Sequence, residues 1–234
     1  MESLMQPSAL LFDLDGTLAD THSDLHATMN VILERYGCPS VETDRVRHMI
    51  GGGARAILQR GFAVHDFAIS EAQLDEATEQ FVDYYDQHID DYTTVFDGVR
   101  EILNTAKAKN MRLAVITNKR ESLAAKLLFR LDLHQFFDLL IGGDTLVARK
   151  PDPLPITTAL ERLGVDASRA IMLGDSEADT QSARAAQVAC ICVSFGYRRV
   201  SLEDLGADAI IDSFRDLPAA IQILKRDTIP SLKF

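Results

Sequence analysis

Two periods of apolar and polar positions alternate along the chain. Short, continuous apolar runs recur at about residues 9–13, 112–116, 138–141, 170–173, 188–193 and 208–211, as strands covered on both faces would require. Between them apolar residues return every three or four positions, near 97–109, 120–130, 153–163, 177–186 and 214–224, which predicts amphipathic helices. Strand and helix alternating in this way predict an α/β fold with a doubly wound, mostly parallel sheet. From about Leu18 to Val95 the strand pattern stops. Helical patterns near 22–36, 42–49, 53–61 and 71–90 replace it, punctuated by Gly37-Cys38-Pro39 and Gly51-Gly52-Gly53. The expected division is an α/β core of residues 1–17 and 96–234 and an all-helical insertion of residues 18–95. Short linkers at 17–21 and 91–97 would let the insertion move as a lid.

Composition narrows the function classes. The 234 residues are 47% hydrophobic and 25% charged, enough for a sizeable core and a second, smaller one. A formal net charge of −11 argues against nucleic acid as a partner, because such an interface needs a basic footprint. Any anion site must then be made positive locally. Cys190 and Cys192 fall on a predicted buried strand and, with Cys38, read as reduced core cysteines rather than disulfides or a zinc site. There is no 18-residue apolar run and no basic-plus-apolar leader, so neither a membrane partner nor secretion is indicated. A cytoplasmic protein, monomer or homodimer, is the expectation.

Residues able to do chemistry gather where strands are predicted to end. Leu10-Leu11-Phe12-Asp13-Leu14-Asp15-Gly16-Thr17 sets two carboxylates two residues apart, after an apolar run and before a turn. Ligands of open α/β sheets bind beyond the carboxyl ends of the strands. Carboxylates this close repel unless a cation or a shared proton relieves them. The pair therefore asks for a metal, a proton-transfer role, or both. A plain Asp-Gly turn is the simpler alternative. A calcium loop is set aside, because the twelfth position from Asp13 is Asp24 rather than Glu and a strand precedes the segment. Three later segments share this layout. The run at 112–116 ends in Thr117-Asn118-Lys119, Lys150-Pro151-Asp152-Pro153 opens a helix, and the run at 170–173 ends in Gly174-Asp175-Ser176-Glu177-Ala178-Asp179. Taken singly, Thr117, Asp175 and Asp179 also suit helix caps, and Lys150 suits a solvated surface.

In this order and spacing the four segments resemble the motifs of the haloacid dehalogenase-like hydrolases, over nearly the whole chain. The resemblance implies that family's Rossmann-like core and a helical cap closing over the site. It implies Asp13 as a nucleophile that forms an aspartyl-phosphate and Asp15 as the acid and base of the two half-reactions. It further implies Mg²⁺ held by Asp13, Asp175 and the backbone carbonyl of Asp15. Thr17 and Asp179 would orient those ligands, direct coordination by Asp179 being the alternative. Lys150, the Thr117 hydroxyl and the Asn118 amide would bind phosphate. An alkoxide leaving group needs a proton and a halide does not, so Asp15 points to a phosphatase or phosphomutase rather than a dehalogenase.

A closer resemblance, to bacterial phosphoglycolate phosphatases, is carried by Asp20-Thr21-His22-Ser23-Asp24-Leu25, Ile50-Gly51-Gly52-Gly53-Ala54, Gly142-Gly143-Asp144-Thr145 and Ser194-Phe195-Gly196-Tyr197. It implies a small phosphorylated metabolite as substrate, first of all 2-phosphoglycolate. Two departures stand out: Gln187 where that family usually has Gly, and Arg198-Arg199 where small or polar residues are frequent. A sugar phosphate such as N-acetylmuramic acid 6-phosphate, a phosphomutase reaction, and more remotely a non-catalytic binding role are the alternatives. In the insertion, Gly53 suits either a plain turn between helices or close approach to an anion at a helix start. Arg55 and Arg47 are candidates for a substrate carboxylate or simply solvated.

Overall fold

The structure, a computed structural model, describes residues 7–46 and 49–227. From the N-terminal side the elements run β1 (Ala9–Phe12), β2 (Ala19–Asp20), α1 (His22–Arg35), α2 (Thr43–Val46), α3 (Ala54–Ala63), α4 (Glu71–Gln87) and β3 (Thr94–Val95). They continue α5 (Val99–Ala108), β4 (Arg112–Ile116), α6 (Glu121–Arg130), β5 (Leu139–Ile141), α7 (Leu154–Leu163) and β6 (Ala170–Gly174). The chain closes with α8 (Glu177–Ala185), β7 (Ala189–Val193), β8 (Ala209–Ile211) and α9 (Leu217–Asp227). Six strands form one parallel sheet in the order β5-β4-β1-β6-β7-β8.

The apolar runs become strands because both faces of the sheet are covered. All four residues of β1 are buried. Leu10 and Phe12 join one core with Val99 and Leu103 of α5, Leu127 of α6 and Phe214. Ala9 and Leu11 join the other with Ile156 and Ala159 of α7 and Ala183 of α8. Successive residues point to opposite faces, so an unbroken apolar run is what this doubly wound arrangement demands. β1 lies between β4 and β6, and the chain passes from β5 across to β6. The order reverses at β1, which opens a crevice beyond the strand ends there. Cys38, Cys190 and Cys192 are buried and unpaired, the last two with sulfurs 3.9 Å apart. No helix among the described residues is long and apolar enough to cross a membrane.

α1, α3 and α4 pack together through Met29, Ile32 and Leu33, Leu58 and Phe62, and Leu74, Ala77 and Phe81. The linker segments at 17–21 and 91–97 lie side by side. β2 and β3 pair antiparallel, Ala19 with Val95 and Asp20 with Thr94. The Asp24 carboxylate accepts from the Tyr92 N–H at 3.0 Å and from the Thr93 N–H and hydroxyl at 2.8 and 2.6 Å. Two-residue strands are too short to show a period, which is why the pattern of the chain does not reveal them.

One departure noted in the sequence acquires a structural meaning. Gln187 follows the last turn of α8 with φ of 58°, the left-handed region that glycine enters without steric cost. Gln187→Gly is expected to raise unfolding free energy by about 0.5–1 kcal/mol, read as a higher urea midpoint at unchanged slope.

Candidate active site

The site sits at the crevice beyond β1, β4 and β6. Asp13 follows β1, and its N–H donates to the Leu173 carbonyl at 2.8 Å, so the ladder fixes it one residue past the strand. Thr117 is held in the same way by the Ile141 carbonyl at 3.0 Å. Lys150 arrives on the loop between β5 and α7, and its Nζ lies 2.9 Å from Asp13 Oδ1 and 2.6 Å from Asp179 Oδ1. Carboxylate oxygens of Asp13, Asp175 and Asp179 lie within 4.8 Å of one another, all three residues buried. Two glycines permit this crowding. A Cβ on Gly174 would come 2.4 Å from Asp179 Cβ, and one on Gly196 2.2 Å from Asp175 Cβ.

Burial pushes the Asp13 carboxyl up to about 6; Lys150 pulls it back, while Asp179 and Asp15 push it further. Asp175 rises well above the usual carboxylate range, again through burial first and then Asp179 and Asp13. Burial alone would lower Lys150, but Asp13 and Asp179 outweigh it and hold the ammonium charged. Three buried carboxylates against one buried ammonium leave the cluster short of positive charge. Hard oxygen donors at this separation suit a small divalent cation. Asp179 is fully engaged: Oδ1 takes Lys150, and Oδ2 accepts from the Ser176 hydroxyl at 2.7 Å and from the N–H groups of Ser176 and Asp175 at 3.1 and 3.2 Å. The Thr17 hydroxyl donates to Asp175 Oδ1 at 3.4 Å.

Asp15 turns away from this cluster. Its Oδ1 accepts from the Thr21 hydroxyl at 2.7 Å and from Lys119 Nζ. Sequence reasoning passed over Lys119, although it stands in the Thr117-Asn118-Lys119 segment that drew attention to its neighbours. It is buried, its Nζ also donates to the Tyr85 hydroxyl at 3.2 Å, and it lies 4.7 Å from the centre of the Tyr85 ring. Tyr85 comes from α4, so the insertion reaches the reactive end of the core. Tyr197 was noted for its segment only; its N–H donates to Asp175, and its hydroxyl donates to Asp20 and accepts from the His22 N–H at 3.0 Å.

A cavity of about 310 Å³ lies over these residues, between the sheet and α3 and α4. Asp13, Asp15, Thr117, Asn118, Lys150 and Asp175 line its core side, and Gly53 and Arg55 its insertion side. Gly53 starts α3 at φ of 85°, and a Cβ there would sit 3.1 Å from the Asn118 carbonyl oxygen. The Asn118 side chain donates to the Lys150 carbonyl at 2.9 Å, joining the two loops. Arg55 is paired with Glu71 and Asp75 of α4 rather than left open. Arg47 lies outside the described residues. Ion pairs Glu79–Arg120, Asp86–Lys126 and Asp90–Arg130 join α4 and the turn after it to α6 and the residue before it.

Residues 10–193 match the model of the haloacid dehalogenase-like hydrolase family. The chain is 42% identical over 213 residues to the phosphoglycolate phosphatase of Caulobacter vibrioides, covering 91% of this chain and 90% of that one. It is 38% identical over 211 residues to the phosphoglycolate phosphatase of Agrobacterium fabrum, covering 90% and 91%. Among solved structures it is similar to a predicted phosphoglycolate phosphatase from Haemophilus somnus, with TM-score 0.86, 27% identity and coverage of 93% and 99%. It is also similar to CbbY from Rhodobacter sphaeroides in complex with phosphate, with TM-score 0.77, 26% identity and coverage of 93% and 100%. The match takes in β1 through β7 with the helical insertion between them, and on that extent the chain belongs to the haloacid dehalogenase-like hydrolase family.

Proposed function

We propose that this phosphatase hydrolyses 2-phosphoglycolate to glycolate and phosphate, with Mg²⁺ as cofactor and an aspartyl-phosphate on Asp13 as intermediate. The observation that carries the reading is the buried Asp13 carboxylate against Lys150 on the floor of the cavity, 42% identity to a phosphoglycolate phosphatase standing behind it. With a carboxyl of about 6, Asp13 is mostly ionised at neutral pH, as a nucleophile must be.

The residues divide the work as follows. Asp13 attacks phosphorus, and the bond to the leaving oxygen breaks as that oxygen takes a proton from Asp15. Asp15 then removes a proton from the water that cleaves the acyl-phosphate, returning Asp13 as a carboxylate. Lys150, the Thr117 hydroxyl and the Asn118 N–H surround the phosphoryl oxygens and meet their charge. Asp13, Asp175 and the Asp15 carbonyl would hold Mg²⁺, the cluster of carboxylates being the fit to it. When bound, the ion adds positive charge on the phosphoryl oxygens. We assign residues 18–95 as the cap and 1–17 with 96–234 as the core. The cap keeps bulk water from the reactive carboxylates and carries the cavity wall that selects the substrate. Three unpaired cysteines agree with a reducing, cytoplasmic setting.

The test is phosphate release from 2-phosphoglycolate, hexose and pentose phosphates, N-acetylmuramic acid 6-phosphate and pyrophosphate, with Mg²⁺ and with EDTA. A preference for 2-phosphoglycolate of at least tenfold in kcat/KM, abolished by EDTA, is expected. Release led by another ester would refute the substrate, and release undiminished by EDTA would refute the metal.

A further inference from the structure

Hydrolysis of a phosphate ester uses Asp13, Asp15 and Lys150, yet the cavity contains a second buried lysine with no part in that scheme. Lys119 is 6% exposed. An ammonium has three N–H donors. Asp15 and the Tyr85 hydroxyl take two of them, and the Tyr85 ring lies against the same group. No further partner of the Lys119 ammonium is found among the described residues, so one donor is left on a cation that lines the cavity. Asp15 is the only carboxylate paired with it among the described residues, and that same carboxylate is the one needed for proton transfer.

The position of Lys119 says which part of a ligand that is. Asp15 must touch the ester oxygen that leaves. Lys119 touches Asp15, so its free donor sits beside the first atoms of the leaving group. In 2-phosphoglycolate a carboxylate is attached one carbon from that oxygen. Of the other cations lining the cavity, Lys150 is paired with Asp13 and Asp179, Arg120 with Glu79 and Arg55 with Glu71 and Asp75, while Arg149 is exposed and stands on the Gly53 side, 3.5 Å from where a Cβ on that glycine would lie. Arg55, which sequence alone offered for this purpose, carries two carboxylates already.

We propose that Lys119 is the carboxylate subsite, oriented by Tyr85 of the cap, and that it selects small phosphate esters with an anionic group next to the ester oxygen. This rests on the phosphoglycolate reading. Because Tyr85 belongs to α4, the subsite is complete only with the cap in place. Selection for the anionic ester is thereby linked to closure.

The experiment compares 2-phosphoglycolate with 2-hydroxyethyl phosphate, the same chain length with a neutral end, in wild type and Lys119→Gln with Mg²⁺. Loss of a charge-assisted hydrogen bond is expected to lower kcat/KM for the carboxylate ester by about tenfold to hundredfold more than for the neutral one. Equal losses on both esters overturn the subsite, because Lys119 would then act only through Asp15. A wild-type preference that survives in Lys119→Gln overturns it too, while leaving phosphoglycolate as substrate. No preference in the wild type refutes the substrate and the subsite together. Should Lys119→Gln fail to melt cooperatively, Tyr85→Phe is read on the same ratio. A narrowing of roughly twofold to fivefold is expected from one lost hydrogen bond, and an unchanged ratio overturns the proposal.

Discussion

Asp13→Asn is expected to abolish turnover, with kcat down roughly 10⁴-fold or more, and to leave the protein as stable as before or more so. The first effect follows from chemistry, since an amide oxygen is a poor nucleophile and a weaker metal ligand. The second follows from the cost of burying the charge. Burial lifts the Asp13 carboxyl to about 6 in the fold, against 3.8 for an ordinary aspartate. The folded state therefore holds the proton more tightly than the unfolded chain does. Stability is penalised in full above pH 6, and the penalty fades as pH falls through that value toward 3.8. A rise of that size corresponds to about 3 kcal/mol, an upper figure for what the neutral amide regains at pH 7 without metal. Urea melts of both proteins in EDTA, beside a phosphate-release assay in Mg²⁺, test the pair. Residual turnover above a few per cent would remove Asp13 from the nucleophile's role. A loss of several kcal/mol would mean that the Lys150 contact, not the burial cost, dominates its energetics.

Lys150→Met is expected to fail on both counts. The ammonium is the only protein cation in contact with Asp13 and Asp179 among the described residues. Removing it leaves the three buried carboxylates of the cluster without their counter-charge. Breaking a buried pair in this way costs about 3–5 kcal/mol, a fall in melting temperature of order 10 °C for a chain of this size. Turnover should fall roughly 10³-fold in what remains folded, because a fixed cation on the phosphoryl group is lost. Raising ionic strength should not restore stability, since salt screens buried charges weakly. A melting temperature within 2 °C of wild type would show that the carboxylates share protons instead.

Much of this was legible in the sequence, for physical reasons that also mark where legibility ends. The six strands of the sheet announce themselves because burial on both faces leaves an unbroken apolar signature. The carboxylates at 13, 15 and 175 stand out because Asp at the end of such a strand has no packing reason to be there. The β2–β3 pair is silent because two residues carry no period. Lys119 is silent because a lysine beside Thr-Asn looks solvated until a tyrosine from α4, 34 positions earlier, closes over it. The commitment of Arg55 to Glu71 and Asp75 is equally a product of how α3 meets α4. Pairings between distant segments belong to the fold, not to any local pattern. Gln187 runs the other way: an unusual letter whose backbone angle explains it only once seen.

The pairing of Ala19 with Val95 carries one last consequence. The long helical segment leaves and re-enters the sheet domain at two points about one strand spacing apart, roughly 5 Å. To the rest of the molecule it is therefore a hairpin loop of unusual length. A loop that begins and ends at neighbouring points can be exchanged, lengthened or reshaped without moving the strands that carry Asp13 and Asp175. Evolution, or an engineer, is free to vary what is recognised while the bond-breaking apparatus stays still, provided that whatever is grafted brings its own counterpart of Tyr85.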